Sequence, residues 1–170
     1  MATSTIPPHD NGAGLAEDVA LALGFERPLI GGHLAGLAAD EIPTTLRPEE
    51  FVLERHRVLW DTMLTLQAEG VHPDLVSVRQ RLQRADRLAE VGGAAYLAEL
   101  TDEGVVAIHL NEYAQQVREC ATARELRRYG MELQRSGLTL EDAEVALAQV
   151  PRPMSVKRFD ALVVWGQVQA

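Results

Sequence analysis

The sequence has little of what marks secreted, membrane-embedded or disulfide-stabilised proteins. Its 170 residues include one cysteine, Cys120, so no disulfide can form within the chain, which fits a reducing cytoplasm. No run of about 18 apolar residues is present, which argues against a transmembrane helix. Residues 1–14 carry neither a basic start nor an apolar segment, unlike a secretory signal. We therefore expect a cytoplasmic protein without a membrane partner.

Positive charge is also scarce. Lys157 is the only lysine, and 16 Lys and Arg residues against 25 Asp and Glu residues give a formal net charge of −9. Nucleic-acid binding depends on cations that neutralise phosphates. This balance predicts that direct DNA binding is weak or absent.

Sequence patterns that carry chemistry are missing as well. The histidines do not form the His-Glu-x-x-His spacing of a helical zinc site, and we expect them on the surface or half-buried. Cys120 falls in the middle of a predicted helix, where packing explains it better than nucleophilic chemistry. The paired acids Glu49 and Glu50 begin a helix, where acids stabilise the dipole. No catalytic residue, cofactor or metal site is predicted.

One stretch, residues 88–100, organises the chain. A short apolar helical run is predicted to end at Gly92-Gly93, and a second run begins directly after it. One glycine can adopt the left-handed conformation that ends a helix, and the other leaves room for two helices to meet at a corner.

Periodic apolar residues predict helices on both sides of this corner. Gly24 is expected to end the first of these, and the Gly31-Gly32 pair in the second is tolerable where another helix approaches closely. Pro48 opens a longer helix and Asp74 caps the next. The predicted helices before the corner are 15–23, 28–38, 48–68 and one that follows Asp74.

A long helix is predicted after the corner, over about 107–135. Ser136-Gly137 makes a turn, and Thr139 with Asp142 resembles a capping box that starts a return helix to about Val150. These two helices form an antiparallel hairpin. We therefore expect an all-α fold with a compact helical head followed by a projecting hairpin. The predicted parts are a flexible tail or short helix over 1–25, the head over 26–104, the hairpin over 105–150, and a tail or linker over 151–170.

Four arginines follow one another along the helix after Asp74. They are a solvated helix face, or they form a contact for an acidic partner or for the DNA backbone. Solvation is the simpler interpretation, and the contact remains a hypothesis. The residues are Arg79, Arg81, Arg84 and Arg87.

Six segments in the same order resemble the N-terminal domain of DnaB-type replicative helicases. The similarity covers about residues 26–150. The segments are Ile30 to Leu34, Leu46 to Phe51, His56 to Trp60, Pro73 to Val78, Val91 to Leu100 and Tyr113 to Glu119.

The resemblance implies a head with a projecting hairpin, hairpins that pair between subunits, and a collar that docks primase. We therefore expect a homo-oligomer, a dimer or higher, that binds primase or a replicative helicase. No G-x-x-x-x-G-K-[ST] motif occurs, so ATP-dependent helicase activity would require a motor domain elsewhere. The residues expected to carry hairpin packing and self-association are Leu110, Tyr113, Val117, Leu126, Leu140 and Leu147.

The sequence thus predicts a non-catalytic interaction domain of DNA replication. Two alternatives stay open. One is a stand-alone regulator of a helicase or primase, of plasmid or phage type. The other is a small helical DNA-binding regulator that uses the four arginines.

Overall fold

A computed structural model describes residues 11–37, 46–104, 109–136 and 145. All regular structure within these ranges is helical, which confirms the predicted all-α class. A 3-10 turn, Pro48–Glu50, accompanies the α-helices. The α-helices are α1 Asn11–Leu34, α2 Glu54–Ala68, α3 Leu75–Arg84, α4 Gly93–Gly104 and α5 Leu110–Ser136.

The N-terminal region forms one helix, and the predicted break at Gly24 is wrong. α1 continues through Gly24 and Pro28. Pro28 has no N–H to donate to the carbonyl of Gly24, four residues earlier, and this loss disfavours the helix by about 3 kcal/mol. Leu29 and Ile30 directly after the proline are fully buried. Each such burial contributes about 1.5–3 kcal/mol, which offsets the defect.

α1 packs against α4 at very short range. A Cβ atom at Gly31 would overlap the carbonyl oxygen of Leu100, and one at Gly104 would overlap the backbone of Gly31. The prediction that another helix approaches the Gly31-Gly32 pair closely is confirmed.

The helix predicted to start at Pro48 begins later. After the 3-10 turn, Phe51 is extended, and α2 starts at Glu54. The backbone N–H of Val52 donates to the buried Glu26 carboxylate over 2.6 Å, which holds this segment out of the helix. Phe51 is fully buried although it lies outside the helix.

α3 has well-defined ends. The backbone N–H of Ser77 donates to the Asp74 carboxylate over 2.8 Å, which confirms the predicted cap. Asp86 after the helix adopts a left-handed φ of 55°, and the N–H of Arg87 donates to the carbonyl of Leu82 over 2.9 Å. This is the Schellman pattern of a helix end. Residues 85–92 therefore form turns, not the short helical run predicted before Gly92.

The core gathers side chains from all five helices and the connection that precedes α2. Trp60 is fully buried in this core, with its ring centroid 5.1 Å from that of Phe51. Its indole N–H donates to the carbonyl of Leu46 over 2.9 Å, so its one polar group is satisfied inside the core. Tyr96 is buried with it, at 7% exposure.

The chain separates into two units, Met1–Cys120 and Ala121–Ala170, and the division falls within α5. Residues 139–150, the predicted return arm of the hairpin, lie outside the described residues except for Val145, which is helical and exposed. The hairpin therefore stays a prediction. None of the described helices combines the length and the apolar character that crossing a bilayer requires.

Candidate functional site

The four candidate arginines divide into two kinds. Arg81 forms a two-pronged ion pair with Glu69 of the segment after α2, and this contact lowers the pKa of the Glu69 carboxyl. The Arg87 guanidinium donates to Glu90 over 2.9 Å. Arg79 and Arg84 are exposed on α3 and form no ion pair with any described residue. The structure therefore leaves two of the four arginines available to a partner.

A shallow groove runs between α2 and α3. Its volume is about 140 Å³, and both charge signs line it, so it offers no strong preference for an anion or a cation. Its lining residues are Asp61, Thr62, Thr65, Arg81, Leu82, Ala85 and Arg87.

Three residues near the start of α5 that were predicted to carry hairpin packing contact the head. Val117 is fully buried in the core, and the Tyr113 ring lies 6.2 Å from the ring of Phe25 on α1. A Cβ at Gly32 would overlap the Leu110 side chain. These contacts place Leu110, Tyr113 and Val117 within the chain's own core and around its edge, where they attach α5 to the head.

The remaining hairpin candidates belong to the second unit. Leu126 on α5 is half-buried. Leu140 and Leu147 lie outside the described residues. Self-association through this unit stays a prediction.

A buried polar network joins α1, α2 and α4, and no pattern noted in the sequence predicted it. Glu26 and His56 are both fully buried, and the Glu26 carboxylate lies 2.6 Å from His56 Nδ1. On the other side of the ring, His56 Nε2 lies 2.7 Å from the Tyr96 hydroxyl. The expectation that the histidines are on the surface or half-buried is thus wrong for His56. His56 lies three and seven positions before the buried Leu59 and Met63, on the same face of α2, and this spacing was the available signal.

Arginines surround the outer end of this network. Arg27 donates to the Glu103 carboxylate over 2.7 Å and to the Tyr96 hydroxyl over 3.3 Å. The Arg55 guanidinium carbon lies 4.0 Å from the centre of the Tyr96 ring, within the range of a cation–π contact. The carboxylate of Glu103 raises the pKa of Arg27 above its ordinary value, and Arg27 in turn lowers the pKa of Glu103.

The acid–histidine–hydroxyl order of this network resembles a catalytic relay, but its setting does not suit catalysis. Tyr96 is 7% exposed, so a substrate cannot reach its hydroxyl. Burial raises the pKa of Tyr96, which keeps the hydroxyl neutral. The network instead satisfies its own buried groups and fixes three helices to one another.

His33 is a second buried histidine, so the expectation of a surface or half-buried position is wrong for it as well. It is 4% exposed, and its ring meets the Trp60 ring edge-on with centroids 5.6 Å apart. Its Nε2 atom has no hydrogen-bond partner among the residues that the structure describes. Burial lowers the pKa of His33 to about 4, so the ring is neutral at pH 7.

Metal chemistry has no visible support in the described part of the chain. No group of three or more His, Cys, Asp or Glu side chains converges there in a way that could hold a metal ion.

The fold defines an all-α domain, and comparison with known proteins gives its family. Residues 21–119 match the family model described as the DnaB-like helicase N terminal domain. Because the match covers more than half of the chain, the chain belongs to this family, and the predicted resemblance is confirmed.

Curated relatives support the same family assignment. The replicative DNA helicase DnaB of Geobacillus stearothermophilus is 35% identical over 97 residues, which is 57% of this chain and 21% of the helicase. DnaB of Leifsonia xyli subsp. xyli is 30% identical over 135 residues, which is 79% of this chain and 27% of that helicase. The chain thus spans about a quarter of the length of these relatives.

Solved structures agree as well. The crystal structure of the N-terminal domain of DnaB helicase from Mycobacterium tuberculosis matches with a TM-score of 0.67 and 30% identity, over 75% of this chain and 96% of that one. A DnaB-like replicative helicase, whose structure was described with its interactions with primase, matches with a TM-score of 0.61. Its 21% identity, over 85% of this chain and 35% of that one, shows the shared fold.

Proposed function

We propose that this domain serves DNA replication as a non-catalytic interaction module, which self-associates and docks primase or a helicase partner. The observation that carries the proposal is the match to nearly the whole of a DnaB N-terminal domain, 96% of its length at 30% identity. The related helicase described with primase shares the fold, which supports primase as the partner class.

The second unit is the proposed self-association element. In the first unit, Val117 is already buried within the chain and has no surface to offer a second copy. Leu126, Leu140 and Leu147 therefore carry the prediction. An apolar side of a hairpin that found no cover inside its own chain would be typical of an interface between subunits.

Light scattering after gel filtration tests self-association. Leu126→Asp should shift the protein toward the monomer at micromolar concentration, because a carboxylate is strongly disfavoured in an apolar seam. Asn111→Asp is the matched control, since it adds the same charge at an exposed position of the same helix. A wild-type protein that is monomeric across micromolar concentrations contradicts the proposal.

Titration with the cognate primase and the cognate helicase tests docking. A complex with either supports the replication role, and the absence of both complexes overturns it. A helicase that is encoded without its own N-terminal domain would favour the stand-alone regulator over a domain of the helicase itself.

A further inference from the structure

One face of α3 is turned toward solvent and differs from the rest of the chain in charge. α3 contains three arginines and no acidic residue, in a protein whose formal net charge is −9. The spacing of the exposed residues is that of one helix face. This outward face of α3 consists of Val76, Arg79, Gln80, Gln83 and Arg84.

The two arginines on the outward face keep their charge uncompensated. Arg81, on the flank of the same helix, pairs with Glu69, so its charge is neutralised locally. Arg79 and Arg84 have no acidic partner within the described ranges. An acidic chain that leaves these two guanidinium groups unpaired on one short helix presents a local positive surface.

An apolar side chain shares this face with the two arginines and precedes both of them along the helix. Val76 is 68% exposed, more than any other large hydrophobic residue whose burial the structure describes. At about 100° and 1.5 Å per residue, Val76 lies within the arc that Arg79 and Arg84 span around the helix axis, about 4.5 Å before Arg79 and about 12 Å before Arg84 along it. The outward face therefore offers apolar contact and positive charge together.

The helix that carries this face is rigidly held. Val78 and Leu82 on its opposite side are buried in the core, and Asp74 caps its first turn. Asp86 closes its end in a left-handed conformation, and the Arg81–Glu69 ion pair ties it to the segment after α2. A partner would bind a preformed surface and would not have to order it.

We propose that the outward face of α3 docks an acidic protein segment in which an aliphatic side chain stands among carboxylates. Arg79 and Arg84 bind the carboxylates, and Val76 contacts the aliphatic group. Nucleic acid fits less well, because Val76 gains nothing from contact with a phosphate backbone. The inference deepens the proposed docking function by naming the chemistry of one partner segment, and it does not depend on the second unit.

Fluorescence anisotropy with defined probes tests the inference. The probe is a short labelled helical peptide that repeats Glu-Leu-Ala-Glu, its control repeats Gln-Leu-Ala-Gln, and a labelled DNA duplex forms the third arm. We expect the acidic peptide to bind the full chain at about 0.05 M NaCl. Its affinity should fall at higher salt, because salt screens the charges. The glutamine peptide should bind at least about fivefold more weakly, as expected when charge-assisted contacts are lost.

Three variants and one matched control locate the binding site. Arg79→Glu and Arg84→Glu should each lower the affinity for the acidic peptide about fivefold or more, because each turns an attraction into a repulsion. Val76→Ala should weaken it without harming the helix, since alanine favours helices more than valine does. Arg47→Glu reverses the same charge at an exposed site outside α3 and should leave binding unchanged.

Each outcome decides the proposal. Peptide binding that falls with the three α3 variants and not with the control supports it. The proposal is overturned if the peptide does not bind, or if the three α3 variants leave peptide binding unchanged. It is also overturned if the duplex binds through Arg79 and Arg84 in place of the peptide. If the acidic peptide binds but neither primase nor the helicase forms a complex, only the proposed function is refuted. Intact docking without peptide binding refutes only this inference.

Discussion

The backbone of Gly31 on α1 lies directly against the backbone of Gly104 on α4, with no room for a side chain at either position. Helix axes normally keep 8–10 Å apart because side chains separate them, and paired glycines let two backbones approach more closely. This contact sets how closely the first and fourth helices pack in the head.

Alanine at Gly31 should therefore destabilise the protein despite its better helix propensity. We expect Gly31→Ala to lower the free energy of unfolding by about 3 kcal/mol, since its Cβ meets main-chain atoms that cannot rotate away. Gly24 lies in the same helix with open space around it, so Gly24→Ala should raise the stability by up to about 1 kcal/mol. Urea unfolding measures both values. Equal effects of the two substitutions would contradict the close contact.

The buried pair of Glu26 and His56 yields a second prediction. Glu26→Ala leaves His56 Nδ1 and the N–H of Val52 without their acceptor inside the core. We expect a loss of about 3–5 kcal/mol, the range for breaking a buried pair from one side. Glu90→Ala breaks an exposed ion pair with Arg87 and should change stability by less than about 0.5 kcal/mol. Thermal and urea unfolding compare the two, and a similar small loss for both would show that the buried pair is dispensable.

Local patterns in the sequence were enough to predict most helices but not the continuity of α1. Asp74 caps α3 as predicted, because a cap depends on residues three positions apart. Gly24 and Pro28 carry local signals of a break, and only the burial of the following residues against distant helices overrides them. Local signals alone do not reveal that burial.

The site was predicted less well, for a related reason. The exposed arginines on α3 follow from helical spacing, whereas the ion pair that occupies Arg81 depends on Glu69, twelve positions away in another segment. The network of Glu26, His56 and Tyr96 depends on three helices meeting, and separations of 30 and 40 residues hide it from any local pattern.

His33 makes the stability of the head sensitive to acid. Burial lowers the pKa of His33 to about 4, against 6.5 for an ordinary histidine, so the unfolded chain binds a proton between these values more readily than the folded one. Acidification through this window therefore favours unfolding, by about 3 kcal/mol at pH 4 relative to pH 7. His33→Leu should remove this part of the pH dependence of stability.

The measurement is the stability difference between the wild type and His33→Leu from pH 7 to pH 4, in which the titration of all other groups cancels to first order. This difference should shift by about 3 kcal/mol in favour of the variant as the pH falls. A difference that stays constant across the range would mean that the His33 ring is not held neutral by the fold.

Gly92 should tolerate substitution less well than its neighbour Gly93. Both have positive φ, 95° and 77°, so any side chain there is strained. Only at Gly92 would a Cβ also lie 3.0 Å from Tyr96 Cβ and 3.1 Å from Tyr96 Cγ, whereas the space around Gly93 is open. We expect Gly93→Ala to lower the free energy of unfolding by about 1–2 kcal/mol and Gly92→Ala by about 1 kcal/mol more, because Tyr96 is fixed by His56 and cannot move aside.

Gly92→Val adds a branched side chain and should loosen the head further, and urea unfolding ranks the three variants. Full stability of Gly92→Val would show that the turn before α4 does not need a left-handed residue there.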